Sequence, residues 1–280
     1  AGRGVGAQDG RDRGDHQVPT AQGAAVGRQR RAWAYLGNAA ATEWRSEIDS
    51  ASRRLDGRNG HFLLGTPRWK LPAAAFGLNS APGVEIWLKL ENLQVGGSFK
   101  ARGMMNRLLT HTIPASGVVV ASGGNAGIAT AAAAQALGVR CEVFLPGVSP
   151  EAKRAKLRAL GAQVTVVGDM YAQALAACLA RQAETGALLT HAYDQPEVVA
   201  GAGTLGREIE QQGGLPDAVL GGVGGGGRLG GLAAWCAPRS GVVALEPERA
   251  PTLFRAREAG HPVEVEVGGV AADSLGAARI

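Results

Sequence analysis

Residues 118–145 read VVVASGGNAGIATAAAAQALGVRCEVFL. Three successive valines and an alanine, with no polar residue between them, describe a strand buried on both faces. A turn of Ser122, Gly123 and Gly124 follows. Residues 126–137 are an alanine-rich helix that Gly138 stops. Residues 140–145, ending in Val143-Phe144-Leu145, are strand-like again. Strand, helix and strand at these lengths predict a right-handed parallel crossover.

The same alternation continues outward. Towards the C-terminus, the spacing predicts a helix over 149–160, with Ser149 as N-cap and Pro150 at its first position. Next come a strand over 163–167, a helix over 170–185 and a strand over 188–191. A helix over 196–212, a strand over 218–220, a helix over 229–236, a strand over 242–245 and a helix over 251–259 complete the run. Towards the N-terminus, 97–109 opens with two glycines and a serine and becomes a helix. Residues 85–90 form a strand, and 46–55 an amphipathic helix with Ile48, Ala51 and Leu55 on one side. The fold class is therefore α/β, with parallel-rich sheets covered by helices.

Composition agrees. Hydrophobic residues make up 45% of 280 residues and aromatics only 5%, so the core is built from Ala, Val and Leu. The net charge is +5, and residues 1–31 supply six arginines against three aspartates. The remainder is nearly balanced and offers no basic face for nucleic acid. No apolar run has the length of a membrane span, and the N-terminus lacks an apolar signal core, so a cytoplasmic protein is expected. Cys141, Cys178 and Cys236, without CxxC spacing, are expected as buried free thiols. Residues 1–45 are rich in Gly, Arg, Gln and Asp without apolar periodicity and are expected to be a disordered or non-native tail. A basic arm for an acidic partner is the alternative.

Three loops carry candidate chemistry. Lys100 lies at a loop-to-helix junction behind Gly96, Gly97 and Ser98. A helix start and the neighbouring Arg102 are expected to lower its pKa, and a neutral amine is what imine formation requires. Residues 122–127 (SGGNAG) place backbone amides at a helix N-terminus, suited to a carboxylate. Gly224, Gly225, Gly226 and Gly227, between a strand and a helix, leave only amides facing outward, as in a phosphate cradle. This run is neither a P-loop nor a dinucleotide fingerprint. An ordinary surface lysine and bland strand-to-helix turns are the alternatives for each loop alone. Together they describe an amine, a carboxylate nest and a phosphate site at strand C-terminal ends, where open α/β sheets bind ligands.

The run from Glu91 and Asn92 through Gly97-Ser98-Phe99-Lys100-Ala101-Arg102-Gly103 resembles the cofactor-attachment signature of serine/threonine dehydratases, fold-type II pyridoxal-phosphate enzymes of the tryptophan synthase beta-like superfamily. Ser122-Gly123-Gly124-Asn125 is similar to their Ser-x-Gly-Asn loop, and Ala200-Gly201-Ala202-Gly203-Thr204 to their Ala-Gly-x-Gly-Thr helix start. Residues 224–227 are similar to their tetraglycine loop, Leu245-Glu246-Pro247 to a cation-binding strand end, and Ala271-Ala272-Asp273 to a late Ala-Asp-Gly step. The likeness spans about residues 46–280 in family order.

The resemblance implies a two-lobed enzyme, with a large cofactor-binding lobe of 46–113 plus 194–280 and a small inserted lobe of 114–193. It implies pyridoxal 5'-phosphate, with Lys100 as the catalytic lysine that carries the cofactor. Phe99 would lie against the cofactor, Asn125 would contact its ring hydroxyl, and the backbone of Gly224, Gly225, Gly226 and Gly227 would bind its phosphate. Ser122, Gly123, Asn125 and Ala126 would hold the substrate carboxylate. Glu246, the Ala250 carbonyl and Thr252 would hold a monovalent cation such as potassium. The implied activity is an ammonia-lyase reaction, in which water leaves a hydroxy amino acid to give a 2-oxo acid and ammonia; serine is not distinguished from threonine. A homodimer would be usual.

This sequence departs from the pattern at three places. Ala126 stands where His is frequent, and Arg228 where Leu or Met follows the glycines. The family continues beyond the position of Ile280, so a C-terminally truncated fold is expected. The alternatives are a serine racemase-like enzyme and an inactive fragment that binds only phosphate ligands. Gly123 stands where racemases carry a second acid/base serine, which argues for elimination.

Overall fold

The computed structural model describes residues 38–57, 62–78 and 83–280. Nine α-helices and eight strands are found among them. In chain order they are α1 (Asn38–Gly57), β1 (Arg68–Pro72), β2 (Glu85–Lys89), α2 (Lys100–Leu109), β3 (Val118–Ala121), α3 (Asn125–Leu137), β4 (Cys141–Leu145), α4 (Glu151–Ala159), β5 (Gln163–Val166), α5 (Tyr171–Thr185), β6 (Leu188–Thr190), α6 (Pro196–Gln211), β7 (Ala218–Gly222), α7 (Gly227–Cys236), β8 (Gly241–Leu245), α8 (Thr252–Ala259) and α9 (Ala272–Leu275).

Four strands form one parallel sheet in the order β5-β4-β3-β6. Its centre explains the valine run. Val118 and Val120 join a cluster with Met105, Ile128, Val143 and Leu157, whereas Val119 and Ala121 join Phe144, Ala174 and Cys178 on the other face. All four β3 residues are buried. Burial of each valine stabilises the fold by about 1.5–3 kcal/mol relative to an exposed position. Alanines of α3 let that helix pack closely, and nine consecutive residues, Ala126–Ala134, are buried.

β7 and β8 pair in parallel, and β1 and β2 antiparallel. Val219 and Val242 pack inward with Leu232 of α7, but Leu220, Val243 and Leu245 are exposed. The described helices cover one face of this pair.

A third cluster joins α1, α6 and α7 through Ile48, Ala51, Leu205, Ile209, Leu232 and Trp235. It moves the start of ordered structure. The helix expected at Ser46 begins at Asn38, Trp44 packs on this cluster, and Arg45 Nη2 donates to the Ala237 carbonyl at 2.6 Å. Residues 38–45 thus belong to the folded unit. The expectation for 1–37 lies outside the described residues.

Two local readings also change. Ser149 makes no cap: Pro150 precedes α4 without a side-chain bond to it. The strand β1 had no signal, because three of its five residues, Trp69, Lys70 and Pro72, are exposed or half-exposed and show no alternation.

Candidate active site

Lys100 is placed by a turn that needs glycine. Gly96 and Gly97 have φ of +74° and +85°, which a side chain disfavours. Ser98 is then extended, and Lys100 is the first residue of α2. The helix is held against α6 at a close crossing. A Cβ on Gly103 would fall 2.8 Å from the Val198 carbonyl, and one on Gly201 2.5 Å from the Arg102 carbonyl. The Ala-Gly-Ala-Gly-Thr segment therefore sits in the middle of α6, not at a helix start, and its glycines serve this approach.

The Lys100 amine donates to the Ala192 carbonyl. It lies 5.1 Å from the Phe99 ring centroid and 5.9 Å from that of Tyr193. Burial, and then the charge of Arg228, bring its pKa down to about 8. The lowering was expected, but its agent is corrected. Arg102 turns away from Lys100: its Nε and Nη2 donate to the two Glu91 oxygens, each at 2.8 Å, and its Nη1 lies 2.7 Å from Glu208. Glu208 also takes Lys89 Nζ at 2.5 Å and the Thr66 amide at 3.0 Å. This buried charge network fastens α2 to α6 and β2.

The loop 122–126 lies beside α2, because Ala126 and Ala129 of α3 pack on Met104 and Val198. Ser122 Oγ accepts from the Gly124 amide at 3.3 Å. Gly123 is half-buried, Asn125 is exposed and opens α3, and Ala126 is buried. Gly127 cannot carry a side chain, since a Cβ would stand 1.8 Å from the Ser122 carbonyl oxygen.

The glycine run ends at α7, whose first residue is Gly227. Among the described residues, the amides of Gly224, Gly225 and Gly226 donate to no backbone carbonyl outside the regular elements. Free amides ahead of a helix N-terminus are anion donors. Tyr193 links this loop to Lys100: a Cβ on Gly225 would fall 2.2 Å from the Tyr193 ring. Arg228 links them again, with Cζ 4.6 Å from the Phe99 centroid. Lys100 and the glycine loop therefore both lie against Tyr193, and Arg228, the next residue after the loop, shares Phe99 with Lys100. Helix α9 runs beside both loops. Asp273 pairs with Lys153 at 2.5 Å, and Leu275 lies against Gly222 and Gly224.

Glu246 has a second use. Its two carboxylate oxygens accept from the Leu253 and Phe254 amides, at 2.7 and 2.8 Å, and so cap α8. Thr252 Oγ1 donates to the Ala277 carbonyl at 2.6 Å, and Ala250 is buried nearby in sequence. The three cysteines are buried and unpaired, and burial raises Cys141 and Cys178 to about 12 and Cys236 to about 11. None is a thiolate at neutral pH.

His191 and Tyr193 were missed by sequence reasoning. A signal existed, because both follow the C-terminal end of β6, the edge at which ligands bind. The residues present fit a phosphate-bearing aldehyde. A buried amine whose pKa is brought down to about 8 faces aromatic rings, and beside them lies a glycine loop with free amides and no space for Cβ atoms.

Such a frame is an α/β core with a buried lysine beside a glycine-rich loop at a helix N-terminus. The family described as pyridoxal-phosphate dependent enzyme matches residues 61–280, and the chain belongs to that family. It is 38% identical over 205 residues to an L-threonine ammonia-lyase of Thermotoga maritima, covering 71% of this chain and 51% of that protein. The chain thus spans about half the length of this relative. Among solved structures, the processed threonine deaminase isoform 2 of Solanum lycopersicum superposes with a TM-score of 0.77 at 27% identity, covering 87% of this chain and 69% of the other. Maize serine racemase gives 0.75 at 26% identity, covering 83% and 70%. The fold is that of these fold-type II enzymes.

Proposed function

We propose that this chain carries the catalytic part of a serine/threonine ammonia-lyase. The observation that carries the reading is the buried Lys100 amine, brought to about 8, beside the Tyr193 ring that the glycine loop also packs against. Gly224, Gly225, Gly226 and Gly227 would hold the cofactor phosphate, Phe99 its ring face and Asn125 its ring hydroxyl. Ser122, Gly123, Asn125 and Ala126 would hold the substrate carboxylate. Bound pyridoxal phosphate supplies an electron sink for the charge left at Cα. Lys100 takes the Cα proton, as a base whose pKa lies near neutrality. The β-hydroxyl would leave as water, and hydrolysis of the resulting enamine would take one water up again, so that the products are a 2-oxo acid and ammonia. Gly123 has no side chain to return a proton from the opposite face, which favours elimination over racemisation.

The division into a lobe of 114–193 and a lobe of 46–113 plus 194–280, a homodimer and a cytoplasmic location belong to the same reading. No helix among the described residues is long and apolar enough to cross a membrane. With cofactor and L-threonine or L-serine, the chain is expected to release 2-oxobutanoate or pyruvate together with equimolar ammonia. Formation of D-serine without oxo acid would favour the racemase reading. Binding of phosphate compounds with neither product would favour an inactive fragment.

The monovalent-cation reading of Glu246, Ala250 and Thr252 is a further part of this proposal. A neutral hydroxyl at Thr252 suits potassium better than magnesium, which demands tight octahedral oxygens. Elimination is expected to be faster in potassium chloride than in tetramethylammonium chloride, and Glu246→Gln is expected to remove the difference. The capping bonds to Leu253 and Phe254 make a thermal melt of that variant necessary, because a lost cap costs about 1 kcal/mol. Equal rates in the two salts would sink the potassium reading.

A further inference from the structure

Arg228 follows the four glycines, and nothing in the reading above uses a guanidinium there. Its side chain folds inward. Nη2 donates to the Gly222 carbonyl at 2.6 Å, Cζ stacks 4.6 Å from the Phe99 centroid, and Nε is buried without a hydrogen-bond partner. Lys100 Nζ lies 5.1 Å from the same ring. Two cations thus share one aromatic side chain, and among the described residues neither forms an ion pair. The nearby acids are engaged elsewhere, Glu91 by Arg102 and Glu208 by Arg102 and Lys89.

The other groups around Lys100 carry no unpaired fixed positive charge. On its own helix, Arg102 is turned to its two glutamates. From the segment after β6 come the Ala192 carbonyl, Tyr193 and His191. Burial lowers the pKa of His191 and raises that of Tyr193, so both are neutral near pH 7; Asp194 acts on these two. His191 Nδ1 accepts from the Tyr193 and Asp194 amides, at 3.4 and 3.0 Å, which leaves its proton on Nε2. From α7 comes Arg228.

A guanidinium does not deprotonate in a protein, but a buried ammonium does. We propose that Arg228 is a positioning residue for Lys100: clamped between the Gly222 carbonyl and the Phe99 ring, its fixed charge adds to burial in favouring the neutral lysine amine. The proposal rests on the reading of Lys100 as the cofactor lysine. Burial is the larger cause of the lowered Lys100 value, and Arg228 supplies the remainder. Burial lowers Arg228 as well, opposed by the charge of Glu91. The charge is worth placing here, since a lysine without an acidic neighbour becomes nucleophilic at neutral pH when a second cation stands close.

The test is the pH profile of Lys100 labelling by trace acetic anhydride in the full chain stripped of cofactor, read by peptide mass spectrometry against Lys153 and Lys156. The wild-type midpoint is expected near 8. Arg228→Gln should move it up and reduce labelling at pH 7 several-fold. Arg228→Lys, which keeps a cation, should stay close to wild type. An unchanged midpoint in Arg228→Gln overturns the proposal, and so does an equal rise in both variants, because a packing role would not distinguish them. If Arg228→Gln melts at a temperature showing that it has not folded, Arg228→Met gives the same comparison. Borohydride reduction of the cofactor-loaded protein tests the underlying reading separately. A tag on a lysine other than Lys100 would remove that reading while leaving the midpoint comparison intact.

Discussion

Lys100→Ala is expected to abolish the absorbance band that pyridoxal phosphate gives with the wild-type chain near the visible–ultraviolet border. It is also expected to reduce elimination by at least about a thousandfold, within the range that a positioned general acid–base group contributes. The stability change should be small, and this separates chemistry from folding. The amine makes one hydrogen bond, to the Ala192 carbonyl, and no ion pair among the described residues. Loss of one such bond costs about 1 kcal/mol, and removing a cation from beside Arg228 works in the opposite direction. Urea midpoints and absorbance spectra of the two proteins measure both quantities. A band that persists in Lys100→Ala would show that another amine carries the cofactor, and the proposed function would fall with it.

Arg102→Met is expected to have the largest effect on stability. Arg102 is 2% exposed, and its guanidinium holds Glu91 through two bonds of 2.8 Å and Glu208 at 2.7 Å. Removing one member of a buried ion network leaves the others uncompensated and costs about 3–5 kcal/mol. Burial alone would raise Glu208, but the bonds from Arg102 and Lys89 more than offset it, so its pKa lies below the ordinary 4.5. A carboxylate lowered on folding contributes stability above its unfolded pKa and loses it as pH falls through the folded value. The difference between Arg102→Met and wild type should therefore be full at pH 7 and narrow below about pH 4.5. Urea titrations at pH 7 and pH 4 check this. A gap of equal size at both would show that packing of the arginine stem, not its charge, is what the protein uses. The same variant should weaken cofactor binding, because this network holds the helix that begins at Lys100.

The sequence was sufficient where the deciding physics is local. Four apolar residues in succession mark β3 as buried on both faces, because side chains of a strand alternate by two and none of these four tolerates water. The glycine turn before Lys100 was legible because positive φ is a property of one residue. The three loops were legible too, because each is a glycine-rich stretch between a strand and a helix, although the strands before them belong to three different sheets. Helix and strand identities from residue 118 onward follow from the same short-range rules. The class of enzyme came from these motifs together with their order.

Tertiary packing decided everything that depends on which distant side chains meet. Two residues away in sequence, Arg102 was the expected neighbour of Lys100. In the fold, two glutamates 11 and 106 residues from Arg102 draw it away, while Arg228, with no acid beside it, folds back onto Phe99. Tyr193 reaches the glycine loop only because β6 lies at the edge of its sheet and α6 returns across α2. Glu246 caps a helix whose amides were not known to be near it, and Trp44 extends α1 because α6 and α7 supply the surface it covers. Periodicity and backbone preference are carried by neighbours along the chain and can be read there. A charge partner, a buried ring contact or a helix end is settled by free energies between residues tens to hundreds of positions apart, and those exist only once the chain has packed.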